Sequence, residues 1–184
     1  EALQKATHLK VIGRAGAGVD TIDVDAATAR GIAVMNAPDG NTLAAAEHAV
    51  SLLFALARHI PRADAGMKAG EWPKNGLTGF ELEGKRLGVI GLGRIGATVA
   101  RKAVGIGMEV AAFDPFLPTS AAGRMSVPMK PLDELLAWAD IITLHIPRTK
   151  ETTNIIGEAQ MRAMRKGSYL INAARGGLVD EDAL

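Results

Sequence analysis

A chain of 184 residues, 48% hydrophobic and 22% charged, has room for one globular domain, or for one domain and part of another. Its net charge of +1, without a basic stripe, gives no electrostatic case for nucleic acid or an acidic membrane surface as partner. The absence of cysteine excludes a disulfide framework, a thiolate nucleophile and a Cys-ligated zinc site, and suits a reducing, cytoplasmic setting.

In chain order, residues 3–7 read as the end of a helix and residues 9–12 as a short apolar strand. The loop Gly13-Arg14-Ala15-Gly16-Ala17-Gly18 follows, either a flexible turn or a place where backbone approaches an anion. Residues 24–30 form a small helix opened by Asp23 or Asp25 and stopped by Gly31, and residues 32–35 form the next strand. Strand, helix and strand in this order indicate parallel α/β architecture. Asn41 or Thr42 can cap a long helix over residues 43–59. That helix is apolar almost all round, which predicts burial between domains or at a subunit interface, and Pro61 marks its end region. Residues 67–79 read as an exposed connector.

The next stretch is the most informative. Apolar residues 87–90 run into Gly91-Leu92-Gly93-Arg94-Ile95-Gly96, residues 95–104 are helical, and a second apolar run, residues 110–113, ends on Asp114. In such a turn the first glycine permits the reversal, the second admits a pyrophosphate close to the backbone, and the third lets helix and strand pack closely. The helix N-terminus offers its unpaired N–H groups to the phosphates. Asp114 suits the hydroxyls of an adenosine ribose and would repel a 2′-phosphate, which predicts NAD rather than NADP; Arg94 lies where it could meet the pyrophosphate.

Residues 115–128 read as a loop over the adenosine side, residues 132–139 as an amphipathic helix, and residues 141–145 as a strand leading into His145-Ile146-Pro147. Residues 157–164 are helical, and the strand over residues 169–171 runs into Asn172-Ala173-Ala174-Arg175-Gly176-Gly177. Ligands of open α/β sheets lie beyond the carboxyl ends of strands, so these two loops and the glycine turn are the candidate site. Arg175, between small residues and glycines, can offer its guanidinium to a carboxylate or can be a solvated turn residue. His8 and His59 sit near helix ends, His48 reads as a structural residue in a buried helix, and His145 suits a cofactor contact better than an acid–base role. Without two histidines at metal-site spacing beside an acid, no metal is expected.

With these motifs the chain resembles the D-isomer-specific 2-hydroxyacid dehydrogenases over nearly its whole length. Besides the glycine turn and the Arg175 loop, the resemblance covers Gly13 to Asp20, Val34-Met35-Asn36-Ala37-Pro38-Asp39-Gly40-Asn41-Thr42 and Glu81-Leu82-Glu83-Gly84-Lys85. It implies a Rossmann-like doubly wound parallel sheet over residues 41–184, with residues 1–40 the end of a second, flavodoxin-like substrate domain. It implies Arg175 as catalytic residue and Arg14, Ala15 and Gly16 as substrate contacts. Cofactor contacts would come from Ala17, Gly91, Gly93, Arg94, Ile95, Gly96, Asp114, His145, Ile146, Pro147, Ala173, Ala174 and Arg175. The expected reaction is NAD-dependent oxidation of a small 2-hydroxy acid, 3-phosphoglycerate first, by a homodimer or higher homo-oligomer. Hydroxypyruvate, glyoxylate or D-lactate chemistry, and a non-enzymatic NAD-sensing corepressor role, are the alternatives. The family's catalytic Glu and His lie beyond the last residue here. The chain, which opens on Glu1, therefore reads as a fragment expected to bind NAD and to turn over little.

Overall fold

The computed structural model describes residues 2–72, 74–117 and 127–184, in two compact units, Glu1–Ala44 and Ala45–Leu184. The predicted loop over residues 115–128 falls largely outside the described residues. The first unit contains helix α1 (Ala2–Lys5), strand β1 (Val11–Arg14), helix α2 (Val24–Ala29) and strand β2 (Ala33–Asn36). The two strands are parallel, with Val11 opposite Ala33 and Arg14 opposite Asn36. Asp23 is the cap of α2, its carboxylate accepting from Ala26 N at 2.9 Å, and Gly31 at φ 67° ends the turn that follows.

Helix α3 (Thr42–Ala57) carries the chain into the second unit. Thr42 is its first residue and not its cap, and the Thr42 hydroxyl has no hydrogen-bond partner among the described residues. Within this one chain, one face of the helix is buried. Ala46, Ala49, Leu53 and Ala57 are buried, whereas Leu43 is 61% and Phe54 40% exposed. Four positions at helical spacing make one face, and His48 lies off it, exposed. The helix ends at Ala57, ahead of Pro61 as expected, and Pro61 also helps to open another helix, α4 (Ile60–Lys68), after a bend of 70°. Proline suits a helix start because its missing N–H would have no partner there. Of the predicted connector over residues 67–79, only residues 67 and 68 belong to this helix. No single helix among the described residues is long and apolar enough to cross a membrane.

The remaining elements are β3 (Arg86–Ile90), α5 (Arg94–Gly105), β4 (Glu109–Phe113), α6 (Leu132–Trp138), β5 (Ile141–Leu144), α7 (Glu158–Ala163) and β6 (Tyr169–Asn172). All pairings are parallel, in the order β4-β3-β5-β6. The register sets Phe113 beside Ile90, Ile90 beside Leu144 and Leu144 beside Asn172, so all four strands end along one edge. Two cores lie on opposite faces of the sheet. Leu87, Val89 and Ile141 pack with Leu53 of α3 and Val99 and Ala103 of α5. Ile90, Ile142 and Leu144 pack with Leu135 and Leu136 of α6. Alternate residues of β3 serve opposite faces, which is why a doubly wound sheet needs continuous apolar runs. At Gly88 a Cβ would stand 2.5 Å from Ile142 Cδ1 and 3.1 Å from Leu135 Cγ, so the absent side chain is what lets α6 lie close.

At the opposite edge, Asp140 ties β3 to the start of β5. It accepts from Arg86 N at 3.0 Å and pairs with the Arg86 guanidinium at 3.1 Å and Arg165 at 3.3 Å. Burial by itself would raise the Asp140 carboxyl, but the Arg86 hydrogen bonds and charge, with Lys85, hold it below its ordinary value. The one-sided burial of α3 is open to direct measurement. In urea unfolding of this chain, Leu53→Ala should cost about 2–5 kcal/mol and Phe54→Ala clearly less; equal losses would contradict the asymmetry.

Candidate cofactor site

The sheet order sends the connection after β3 to one side and that after β4 back across to the other, which opens a crevice beyond the carboxyl ends of β3 and β5. The glycine turn emerges on one side of it and His145-Ile146-Pro147 on the other. Gly91 N donates to Phe113 O at 2.7 Å and His145 N to Ile90 O at 2.7 Å, so backbone bonds extend the sheet into both loops. Gly91 has φ 94°, and a Cβ on it would sit 2.6 Å from Ile146 Cγ2 and 2.7 Å from His145 C. Only glycine meets both demands, since a side chain disfavours that φ and has no space. A Cβ on Gly96 would overlap the Gly91 carbonyl oxygen, so the third glycine seats α5 against the turn. Gly93 differs: a Cβ there would meet nothing within 4 Å. Its backbone faces open space at the N-terminus of a helix of 12 residues, a surface that a pyrophosphate can approach.

Asp114 closes the far side. Its Oδ2 accepts from Leu92 N at 2.7 Å and its Oδ1 from Phe116 N at 2.8 Å. The carboxylate, 9% exposed, is therefore aimed by two backbone donors, one from the glycine turn itself. A carboxylate has about four acceptor positions, so lone pairs remain for ribose hydroxyls. Gly93, Arg94, Asp114, His145 and Pro147, with apolar Phe116 and Leu117, line a cavity of about 480 Å³. Polar contacts at one end and apolar walls elsewhere are what a nucleotide requires. The residues present thus fit a dinucleotide in three respects: open backbone at Gly93, an oriented carboxylate at Asp114 and an apolar flank.

Not every predicted residue reaches this cavity. Ile95 and Ala173 pack against the core on one face of the sheet, and Ala174 against the core on the other. The Arg175 loop is held by Asn172, whose Nδ2 donates to Arg175 O at 2.8 Å and whose Oδ1 accepts from Ala174 N at 3.1 Å. Arg175 is exposed and its Nη1 donates to Ala174 O at 2.8 Å. Arg14, Ala15, Gly16 and Ala17 belong to the first unit. There Arg14 Nε donates to Gly18 O at 3.2 Å, Ala37 N to Gly16 O at 3.1 Å and Asn36 Nδ2 to Ala17 O at 2.8 Å, so the loop after β1 is pinned to the end of β2.

Two features escaped sequence reasoning. Arg148 lies across Gly177, where an added Cβ would come 2.9 Å from Arg148 Cζ. Thr152 is buried beside Pro147; the spacing Thr149-x-x-Thr152 just after a strand-ending proline was the available signal for a side-chain turn. Among the described residues no group of His, Asp and Glu could hold a metal ion.

Residues 50–184 match the NAD binding domain of the D-isomer specific 2-hydroxyacid dehydrogenases, and the chain belongs to that family. The cofactor of this domain is NAD. D-3-phosphoglycerate dehydrogenase of Archaeoglobus fulgidus is 52% identical over 184 residues, which is 100% of this chain and 35% of that protein. The Bacillus subtilis protein of the same name is 47% identical over 184 residues, again 100% of this chain and 35% of that one. This chain therefore spans about a third of the length of the curated relatives it matches. Among solved structures, D-lactate dehydrogenase from Aquifex aeolicus complexed with NAD and lactic acid superposes with a TM-score of 0.86 at 36% identity, covering 98% of this chain and 54% of that one.

Burial holds the His145 ring to a pKa of about 4, against an ordinary 6.5. Its Nε2 lies 3.0 Å from Thr143 Oγ1, and at neutral pH it is an uncharged wall of the cavity. The folded pKa is below the unfolded one, so this contribution is complete above about pH 6.5 and is lost as pH falls toward 4. Unfolding followed between about pH 6.5 and 5 should show up to about 2 kcal/mol of acid-dependent loss from this residue. His145→Asn should flatten that slope, and an unchanged slope would contradict the depressed pKa.

Proposed function

We propose that this chain is the NAD-binding part, with the end of the substrate domain, of a D-3-phosphoglycerate dehydrogenase. The reading is supported by 52% identity to a protein of that name along the entire chain, against 36% for the D-lactate dehydrogenase. Residues 1–40 are assigned to the substrate domain and residues 41–184 to the cofactor domain, in a homodimer or higher homo-oligomer.

Bound NAD supplies the hydride acceptor for the C2 carbon of the hydroxy acid. The protein's share of that chemistry is positioning and electrostatics. Gly93 and the first turn of α5 offer N–H groups to the pyrophosphate, with Arg94 adding positive charge. Asp114 holds the ribose and disfavours a 2′-phosphate. The apolar wall from Ile146 and Pro147 keeps water from one side of the crevice. We assign to Arg175 the grip on the substrate carboxylate and stabilisation of charge on the C2 oxygen, a charge-assisted interaction of about 1.5–3 kcal/mol. Arg14, Ala15 and Gly16 are assigned to the substrate and Ala17 to the cofactor, on family resemblance. Proton removal is not assigned to His145, since a ring with a pKa of about 4 is a weak acceptor.

The test separates cofactor from chemistry. Calorimetry on this chain should show NAD binding roughly ten- to hundredfold weaker in Asp114→Ala, with a reduced preference for NAD over NADP. Arg175→Ala in the whole protein should lower kcat on 3-phosphoglycerate at least tenfold and leave NAD affinity nearly unchanged. An unaltered NAD preference removes Asp114 from the ribose site. Faster turnover of D-lactate than of 3-phosphoglycerate removes the substrate assignment.

A further inference from the structure

We propose that Thr152 is a positioning residue for the cofactor, clamping the His145–Pro147 wall and tying it to the loop that carries Arg175. The inference rests on the assignment of that wall to the cofactor cavity. Thr152 is 1% exposed, one of four buried polar or charged residues among those described. Its hydroxyl donates to Pro147 O at 2.7 Å and accepts from Thr149 N at 2.7 Å. Thr149 Oγ1 in turn accepts from Thr152 N at 3.3 Å, and Thr153 Oγ1 donates to Thr149 O at 2.7 Å. The chain leaving the cavity wall is thus folded back on Pro147 by side-chain hydroxyls rather than by a helix or strand ladder.

The same segment then reaches the neighbouring loop. Asn154, in the left-handed region at φ 52°, donates its N–H to Gly177 O at 2.9 Å. Ile156 N donates to Leu178 O at 3.1 Å and accepts at its carbonyl from Asp180 N at 2.9 Å. Within ten residues, the backbone is fixed to Pro147 at one end and to the residues just after Arg175 at the other. Removing the Thr152 hydroxyl leaves the Pro147 carbonyl and the Thr149 N–H short of a partner, and a buried unsatisfied group seeks relief by moving. Ile146 lies against Gly91 and both it and Pro147 line the cavity, so a shift of Pro147 disturbs the wall that faces the glycine turn. Loss of register by about 1 Å in such a wall is enough to weaken a preformed site.

A hydroxyl that only stabilised the fold would change unfolding and leave NAD affinity alone. NAD is therefore titrated into this chain as wild type, Thr152→Val and Thr152→Ser, at temperatures where circular dichroism shows each fully folded. Valine keeps the shape without the hydroxyl and should weaken NAD binding roughly tenfold or more, whereas serine should stay within about threefold of wild type. Unchanged affinity in Thr152→Val overturns the proposal, and equal weakening in both variants shifts the effect to the methyl group and overturns it too. Failure of the wild type to bind NAD would remove the cofactor reading and this inference with it. Should Thr152→Val not fold, amide exchange in the wild type decides: NAD should slow exchange at Thr149 N, and unaltered exchange there overturns the clamp.

Discussion

The contact of Gly91 with the backbone of His145 and the Ile146 side chain governs the cofactor half of this chain. An added Cβ at 2.6–2.8 Å from those atoms cannot be accommodated by a rotamer change, because His145 C and O are main-chain atoms held by a sheet bond to Ile90. The two loops therefore reverse direction side by side. Gly96 repeats the constraint one turn later against the Gly91 carbonyl, which fixes the axis of α5 relative to β3. The orientation of the helix N-terminus toward the crevice is a consequence of these two close approaches.

Asp114 shows how the same turn sets the polarity of the site. Its carboxylate is anchored by Leu92 N, from between the first two glycines, so the acid at the end of β4 and the turn at the end of β3 form one unit. In-register pairing of Ile90 with Phe113 brings them together, and a one-residue slip would turn the side chains to the wrong faces. Charge, open backbone and apolar wall are all delivered by three adjacent strand ends, each buried on both faces.

Most of the second unit was legible in the sequence because its strands are parallel and covered on both faces of the sheet. The runs ending at Ile90, Phe113 and Leu144 are continuous apolar segments closed by glycine, aspartate or proline, and both physical signals act locally. Helix α4 was missed because a local signal has two meanings. Pro61 closes a helix when the preceding residue leaves αR, but it opens one when its ring occupies the first turn, and the left-handed His59 is what selects the second. Helix α3 was legible as an element, but not the face it turns to the core of this chain. Leucine and phenylalanine all round a helix state what it tolerates, not which side faces the core, and the alanines Ala46, Ala49 and Ala57 with Leu53 are the side that packs. Thr152 carried no periodic signal, only its spacing from Thr149 just after Pro147, because a buried hydroxyl between two loops belongs to no helix or strand pattern.

These differences explain why the cofactor is easier to read than the substrate. Binding a dinucleotide needs one strand–turn–helix and the acid of the next strand, about thirty consecutive residues whose glycines are dictated by contacts within the same unit. Selecting a hydroxy acid needs a cationic group carried to a precise place, and Arg175 sits on an exposed loop whose shape depends on Asn172 and on the strand-like bonds from Asn154 and Ile156. A guanidinium grips any carboxylate equally well, so the role proposed for Arg175 bears on the class of substrate and leaves its remaining groups unread. Discrimination between a phosphorylated and an unphosphorylated acid must come from charges elsewhere around the substrate, where leaving a desolvated anion unpaired costs far more than a methylene does.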